Sequence, residues 1–423
     1  MTISKLCFSL ITFTIYNIAG AQWNEDILNN HSAGKYMVGI SADGDFSSSA
    51  ITNSFAYNWL TGNYLSGGQK QQVTSLLEPQ NLMGYALNYG IYMVLYNDTS
   101  KSKKAFNFFI SLRHKSYLNA SFTPDDFEVP FYGNAGYAGR TAQLSPFHFE
   151  NISYQQLEAG LVCTNFGRGA QFGFGVSVLA GQQFMAMNLP SATLYTAPTG
   201  ESITFNSNAQ LLQSDTAAGS QNAINGIGGS LDFYLRAPYK IGEKAGTIAL
   251  SVSDLGFIWW NNKSLQYRKD TSYTFNGVTI NNLNQLQNLS FHTLSKDSLQ
   301  SKYLPYSKGG FLSTIPSMFN IKSVTDLSPK FHLILGFCNL FNANSDSYGY
   351  VQGEFLLSDT WTTALEAGYG GYAGLNFAAY LTKQFARSKL SIIINRLQGL
   401  ALPGQFGGAG IYTSYSYIFD KWK

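Results

Sequence analysis

The chain has 423 residues, of which only 12% are charged and 15% are aromatic, with 41 glycines and a formal net charge of +3. The charged share is about half that of an average soluble protein, and a mean hydropathy of −0.08 excludes a chain built from apolar membrane helices. So small and dispersed a net charge also excludes nucleic acid as a partner.

The N-terminus predicts export. Lys5 precedes the apolar run 6–18, and Ala19-Gly20-Ala21 forms a small-residue cleavage motif. We therefore expect a cleaved signal peptide over residues 1–21. The polar segment 22–51 that follows is consistent with an extra strand around 35–41, with a tail or with a plug. Within it, we interpret Asp43-Gly44-Asp45 as turn chemistry rather than as a metal site.

From residue 52 onward, segments of about ten residues alternate between apolar and polar side chains. In AFNFFISLR (105–113), Phe106, Phe108, Ile110 and Leu112 share one face, and Asn107, Ser111 and Arg113 share the other. This period of two predicts β-strands with two unlike faces. The predicted strands are 52–60, 82–95, 105–118, 153–163, 171–185, 224–236, 246–257, 309–321, 329–341, 347–357, 361–370, 373–382, 388–397 and 408–419.

The predicted connections distinguish a membrane barrel from a soluble sandwich. Over the first eight strands they measure about 21, 9, 34, 7, 38, 9 and 51 residues, so long and short connections alternate. A barrel with short periplasmic turns and long extracellular loops has this pattern. The sequence therefore predicts an all-β fold, a transmembrane antiparallel β-barrel of about 14 strands over residues 52–423. A short helix is expected at 69–79, in the first long loop.

Charged residues on the polar face of these strands are the candidate functional residues. They are expected to line the lumen, because a charge facing lipid is costly, and they are Arg113, Lys115, Glu158, Asp232, Arg236, Glu354 and Glu366. Two interpretations remain open: a lining that selects or binds a substrate, and a salt-bridge network that closes the lumen. No nucleophile, metal or phosphate-loop motif occurs, so no catalytic residue, metal site or cofactor is predicted.

Three passages carry a resemblance to a known family. SDLGFIWWNNKSLQY (253–267), LPYSKGGF with IPSMFNI, and the strands after PKFHLILGF resemble Bacteroidota outer-membrane β-barrels of unassigned function, similar in architecture to FadL-like long-chain fatty-acid transporters. The resemblance implies a barrel of about fourteen strands and a hydrophobic cargo. It supplies no catalytic residues.

The sequence leaves two functions open. The first is uptake or passage of a small hydrophobic molecule across the outer membrane of a bacterium. The second is a non-transporting barrel that serves as a scaffold or accessory subunit of an envelope or secretion machine of the type IX kind. In both cases the expected partners are outer-membrane lipids, lipopolysaccharide and the barrel assembly machinery, and in the first also the hydrophobic cargo.

Overall fold

A computed structural model of the protein describes residues 35–97, 106–164, 169–215, 223–276 and 306–420. The expected signal peptide, 1–21, lies outside these residues. Within the described ranges, no helix combines the length and apolarity needed to cross a bilayer.

The described chain is mostly strand. The strands are β1 Tyr36–Ser48, β2 Asn81–Leu95, β3 Phe106–Phe122, β4 Thr141–Gln143, β5 Phe147–Cys163, β6 Gln171–Thr196, β7 Ile203–Gln213, β8 Gly226–Ile241, β9 Lys244–Trp260, β10 Leu265–Phe275, β11 Ser307–Lys308, β12 Phe311–Thr314, β13 Ser317–Ser328, β14 Phe331–Phe341, β15 Asp346–Ser358, β16 Trp361–Gly371, β17 Gly374–Gln384, β18 Ser388–Asn395 and β19 Gly407–Phe419. The α-helices are α1 Asn53–Thr61, α2 Gly67–Leu76, α3 Pro124–Tyr132 and α4 Leu397–Ala401, and a 3₁₀ turn covers Ala135–Tyr137.

Fourteen strands form a closed antiparallel barrel, as predicted. The ring runs β1-β2-β3-β5-β6-β8-β9-β13-β14-β15-β16-β17-β18-β19, and β19 pairs back onto β1 along its whole length. The five remaining strands lie outside the ring. Strands β4 and β7 pair with the C-terminal part of β6. Strand β10 pairs with β7, β11 with β10, and β12 with β9.

The start of the barrel corrects the sequence analysis. The predicted strand 52–60 is wrong, because these residues form helix α1, capped by the Thr52 side chain at its start and by left-handed Gly62 at its end. The first barrel strand is β1, so the barrel begins at Tyr36 and not at 52. Of the alternatives for 22–51, the extra strand is correct. Because β1 takes the place of the predicted strand 52–60, the number of barrel strands is still fourteen.

The outer face of the barrel is apolar. In β3, Phe106, Phe108, Ile110 and Leu112 are exposed, whereas Asn107 and Ser111 are buried inside. An exposed band of this kind is stable against hydrocarbon and unfavourable in water. The exterior therefore faces lipid.

The two rims differ in their connections. One rim, here called the long-connection rim, carries 49–80, 123–146, 197–225 and 261–310, and the opposite, short-connection rim carries turns such as 242–243 and 359–360. Helix α2 confirms the helix predicted in the first long loop. On the β14–β17 side the long-connection rim has only 342–345 and 372–373.

Large rings fit into the lumen because glycines on neighbouring strands leave space for them. A Cβ built on Gly336 would lie 2.0 Å from the ring of Tyr350, and one on Gly39 would lie 2.2 Å from the ring of Tyr92. In each pair the two residues face each other across antiparallel strands. The abundance of both Gly and Tyr in the composition follows from this packing.

We expect Gly336→Ala to destabilise the barrel by about 1–3 kcal/mol, because the added methyl group forces the Tyr350 ring to move in a packed interior. Gly349→Ala is the matched control, since nothing lies within 4 Å of a Cβ at that position. The urea midpoint of heat-modifiable gel mobility measures both variants. Equal midpoints would contradict the packing argument.

Candidate functional site

A cluster of paired charges occupies the lumen between β3 and β9. Arg113 donates to Glu158, and the Lys115 Nζ lies 2.5 Å from the Asp254 carboxylate. Strands β3 and β9 are separated by three other barrel strands, so the second pair reaches across part of the lumen. Asp232, fully buried, accepts the backbone N–H of Asp254. Charges taken out of water require such partners.

Asp254 owes its position to a β-bulge. The register of β8 and β9 shifts between Leu231 and Phe233, and Asp254 has a φ of 61°. The extra residue turns the Asp254 side chain inward. There its carboxylate also accepts a hydrogen bond from the Gln156 Nε2 at 2.9 Å. A bulge exchanges the inward and outward positions of the strand beyond it. Assigning every second residue of the strand to the lumen therefore did not identify Asp254.

The same bulge faces a break in the next strand. The predicted strand 309–321 is two strands, β12 and β13, separated at Ile315–Pro316. Pro316 cannot donate to the ladder. Two bonds hold the seam together: the Ile315 N–H donates to the Gly256 carbonyl (3.2 Å), and the Ser317 hydroxyl donates to the Asp254 carbonyl (2.7 Å).

A second polar cluster lies on the β15–β18 side. The Arg396 Nε donates to the Asp45 carboxylate at 2.7 Å, and the Arg396 backbone N–H donates to Asn376 at 3.0 Å. Glu366 accepts hydroxyl bonds from Tyr348 (2.8 Å) and Tyr380 (2.6 Å). Arg396 has a φ of 54°, a costly backbone conformation for a non-glycine residue that its packing and bonds must hold in place.

A pocket opens beside this second cluster, on the inner wall of the barrel. Its empty volume is about 500 Å³, part of it open to solvent. The apolar part of the lining comprises Met318, Cys338 and Leu340 together with the rings of Tyr348 and Tyr372, and the polar part comprises Asp45, Ser345, Asp346, Asn376, Asn395 and Arg396. A mostly apolar concavity with a few polar groups is the usual form of a small-molecule site.

The pocket lies close to the part of the long-connection rim where the turns are short. Ser345 and Tyr372, both in the lining, belong to the short turns 342–345 and 372–373. Beside these turns the outer wall stays apolar, with Phe341, Tyr369 and Leu375 exposed by 50%, 73% and 42%. The apolar exterior thus extends up to the turns that border the pocket.

Tyr372 also crosses the lumen. Its hydroxyl donates to Asn119 on β3, nearly opposite in the ring. Nearer the short-connection rim, a buried apolar cluster includes Met37, Tyr92, Phe109 and Tyr234. Together with the charge cluster, these contacts place buried side chains at several levels along the axis of the described barrel.

The helices α1, α2 and α3 pack over the long-connection rim. Phe55, Val73 and Phe127 form their shared buried core. The Asn53 amide fixes this cap to helix α4 and to the start of β19, donating to the carbonyls of Gly399 (2.8 Å) and Gly408 (2.6 Å). In α3, burial raises the pKa of Asp126, although the carboxylate caps the helix by accepting the Thr123 N–H at 2.9 Å.

The structure divides the seven sequence-predicted residues into three groups. Arg113, Lys115, Glu158 and Asp232 meet in the first cluster, and Glu366 lies in the second. Arg236 and Glu354 are half-buried, towards the short-connection rim, and belong to neither.

Three charged residues of the clusters were not predicted: Asp45, Asp254 and Arg396. Asp45 was missed because β1 was not recognised as a strand, and the interpretation of Asp43-Gly44-Asp45 as a turn is wrong. Arg396 falls within the predicted strand 388–397, but β18 ends at Asn395, and the left-handed backbone of Arg396 breaks the alternation on which the prediction relied. Among the residues that the structure describes, no group of His, Cys, Asp and Glu could hold a metal ion.

Comparisons with known proteins were made for the sequence and for the fold. A model of the family of unknown function DUF5723 matches residues 31–385. No curated protein sequence matches the chain. The toluene transporter TodX of Pseudomonas putida is 8% identical with a TM-score of 0.45, covering 94% of this chain and 92% of its own. A FadL homologue of Pseudomonas aeruginosa is 12% identical with a TM-score of 0.39, covering 91% and 90%. Likeness at this level carries no information about cargo.

We expect Lys115→Met to cost about 3–5 kcal/mol of stability, because it leaves the Asp254 carboxylate buried without its cation. The double variant Lys115→Met with Asp254→Asn should recover most of the loss, since a neutral amide needs no counter-charge and Asn tolerates a positive φ. Urea unfolding of the purified barrel measures both. A double variant as unstable as the single one would contradict the pairing.

Proposed function

Because the chain belongs to the DUF5723 family, whose description assigns no function, its own geometry has to indicate the role, and we propose that the barrel captures a small hydrophobic molecule from the outer membrane. The observation that carries the proposal is the pocket lined by Met318, Cys338 and Leu340, which is bordered by short turns beside the apolar outer wall. An apolar molecule concentrates in the bilayer, and on this proposal it enters the pocket from that side without crossing the helical cap.

The filled axis favours access from the side over a continuous aqueous pore. An ion passing along the axis would have to displace paired charges such as Arg113 and Glu158. It would also have to pass the Tyr372–Asn119 bond. An apolar molecule that enters from the bilayer meets neither obstacle on its way to the pocket. The barrel on this proposal contacts outer-membrane phospholipid and lipopolysaccharide along its outer wall.

A scaffold remains the second candidate, and one observation favours it. The cap over the long-connection rim exposes Tyr57, Trp59, Tyr64 and Tyr132, which are exposed by 56%, 44%, 85% and 51%. Aromatic residues are enriched at protein interfaces. A filled barrel that presents such a cap is suited to hold a partner protein.

For the pocket, we expect the purified barrel in lipid nanodiscs to bind α,α,α-trifluorotoluene, seen as extra broadening of its ¹⁹F signal relative to empty nanodiscs. Cys338→Trp should abolish the effect by filling the pocket. Phe337→Trp is the matched control, because Phe337 is the residue before Cys338 and its side chain faces lipid. Absence of binding to the folded wild-type barrel would reject capture and leave the scaffold.

For the axis, we expect the folded barrel to be silent in single-channel recordings in a planar bilayer, because side chains occupy the lumen. Discrete conductance steps, altered by charge reversal at Arg113 or Glu366, would show an open polar path and contradict lateral capture as the main route.

A further inference from the structure

The polar end of the pocket indicates which hydrophobic molecules it accepts, and this step rests on the proposed function. Two hydrogen-bond donors of the lining are buried and have no acceptor among the described residues: the Arg396 Nη1 and the Ser345 Oγ. A buried donor left without an acceptor is destabilising, and more so when it is charged. Arg396 itself is only 7% exposed, so bulk water does not readily supply the acceptor.

Three other polar residues of the lining, Asn376, Tyr348 and Tyr372, donate to partners within the protein. The Asn376 amide donates to the Tyr348 hydroxyl at 2.9 Å, and that hydroxyl donates to Glu366 at 2.8 Å. The Asn376 carbonyl oxygen accepts the backbone N–H of Arg396 at 3.0 Å. Tyr372 donates to Asn119. The donors of the lining that still require an acceptor are therefore the Arg396 Nη1 and the Ser345 Oγ.

The charges of the lining argue against an anionic ligand. Among the described residues of the lining, Arg396 is the single cation, and its Nε donates to Asp45 at 2.7 Å. Asp346 adds a second carboxylate to the lining. A carboxylate ligand would bring a further negative charge next to Asp45, in surroundings where like charges repel strongly. A neutral acceptor oxygen satisfies the guanidinium without that repulsion.

We propose that the pocket selects uncharged molecules that combine a small apolar body with one acceptor oxygen, such as a ketone, ester or alcohol. The apolar body lies against Met318, Cys338 and Leu340, and the oxygen accepts from Arg396 and Ser345. Pure hydrocarbons fill the apolar part only. Carboxylates are excluded by the Asp45–Arg396 pair.

A series of four probes on one ring tests the proposal: α,α,α-trifluorotoluene, 4-(trifluoromethyl)acetophenone, 4-(trifluoromethyl)benzoate and 4-(trifluoromethyl)benzylamine. Affinities are measured by ¹⁹F NMR in nanodiscs and corrected for partition into empty nanodiscs. The ketone should bind about tenfold more tightly than trifluorotoluene, as expected for one added hydrogen bond to a charged donor. Benzoate and benzylamine should bind more weakly than the ketone.

Two variants locate the selectivity. Asp45→Asn frees the Arg396 guanidinium of its counter-charge, and should raise the ratio of benzoate affinity to trifluorotoluene affinity about tenfold. Arg396→Lys keeps the positive charge but loses the Nη1 donor, and should remove the preference for the ketone. Heat-modifiable mobility verifies that both variants are folded.

The outcomes separate this inference from the function on which it rests. Equal affinity of the wild-type barrel for the ketone and trifluorotoluene, or a preference for benzoate, would overturn the selectivity and leave hydrophobic capture intact. Failure of all four probes to bind would overturn both. An unchanged benzoate affinity in the folded Asp45→Asn variant would overturn the role given to the Asp45–Arg396 pair.

Discussion

Closure of the sheet is the constraint on which the rest of the structure depends. Inside a bilayer every backbone N–H and C=O needs a partner within the protein, so a sheet is stable there only without free edges. The pairing of β1 with β19 over Tyr36–Ser48 and Gly407–Phe419 removes the last edges. Closure also creates an interior, and that interior has to be filled or hydrated.

This barrel fills its interior in two different ways. On the β3–β9 side, charges such as Lys115 and Asp254 pair across the lumen. On the β14–β18 side, tyrosines such as Tyr350 lie over glycines of neighbouring strands. The proposed pocket lies on this second side, where the turns of the rim are also short. The same interior therefore places buried side chains along the axis and leaves a pocket on the side where the outer wall reaches the short turns.

The strained residues Asp254 and Arg396 mark the two polar clusters. Each has a positive φ without being glycine, a conformation that persists only where surrounding contacts fix it. In both cases the side chain takes part in an ion pair, with Lys115 and with Asp45. The selectivity that we infer for the pocket depends on the second of these pairs.

The sequence by itself determined the barrel, because alternation within a strand and the lengths of connections are local properties. It placed Phe106 outside and Arg113 inside correctly, and it failed at β1, whose Gly- and Ser-rich residues are weakly apolar, and at α1, whose short apolar run suits either structure. Only the tertiary structure decided which inward side chains meet. Contacts such as Tyr372 with Asn119 join residues 253 positions apart. They depend on the register of every strand between them and on the bulge in β9. No local sequence pattern specifies these registers together.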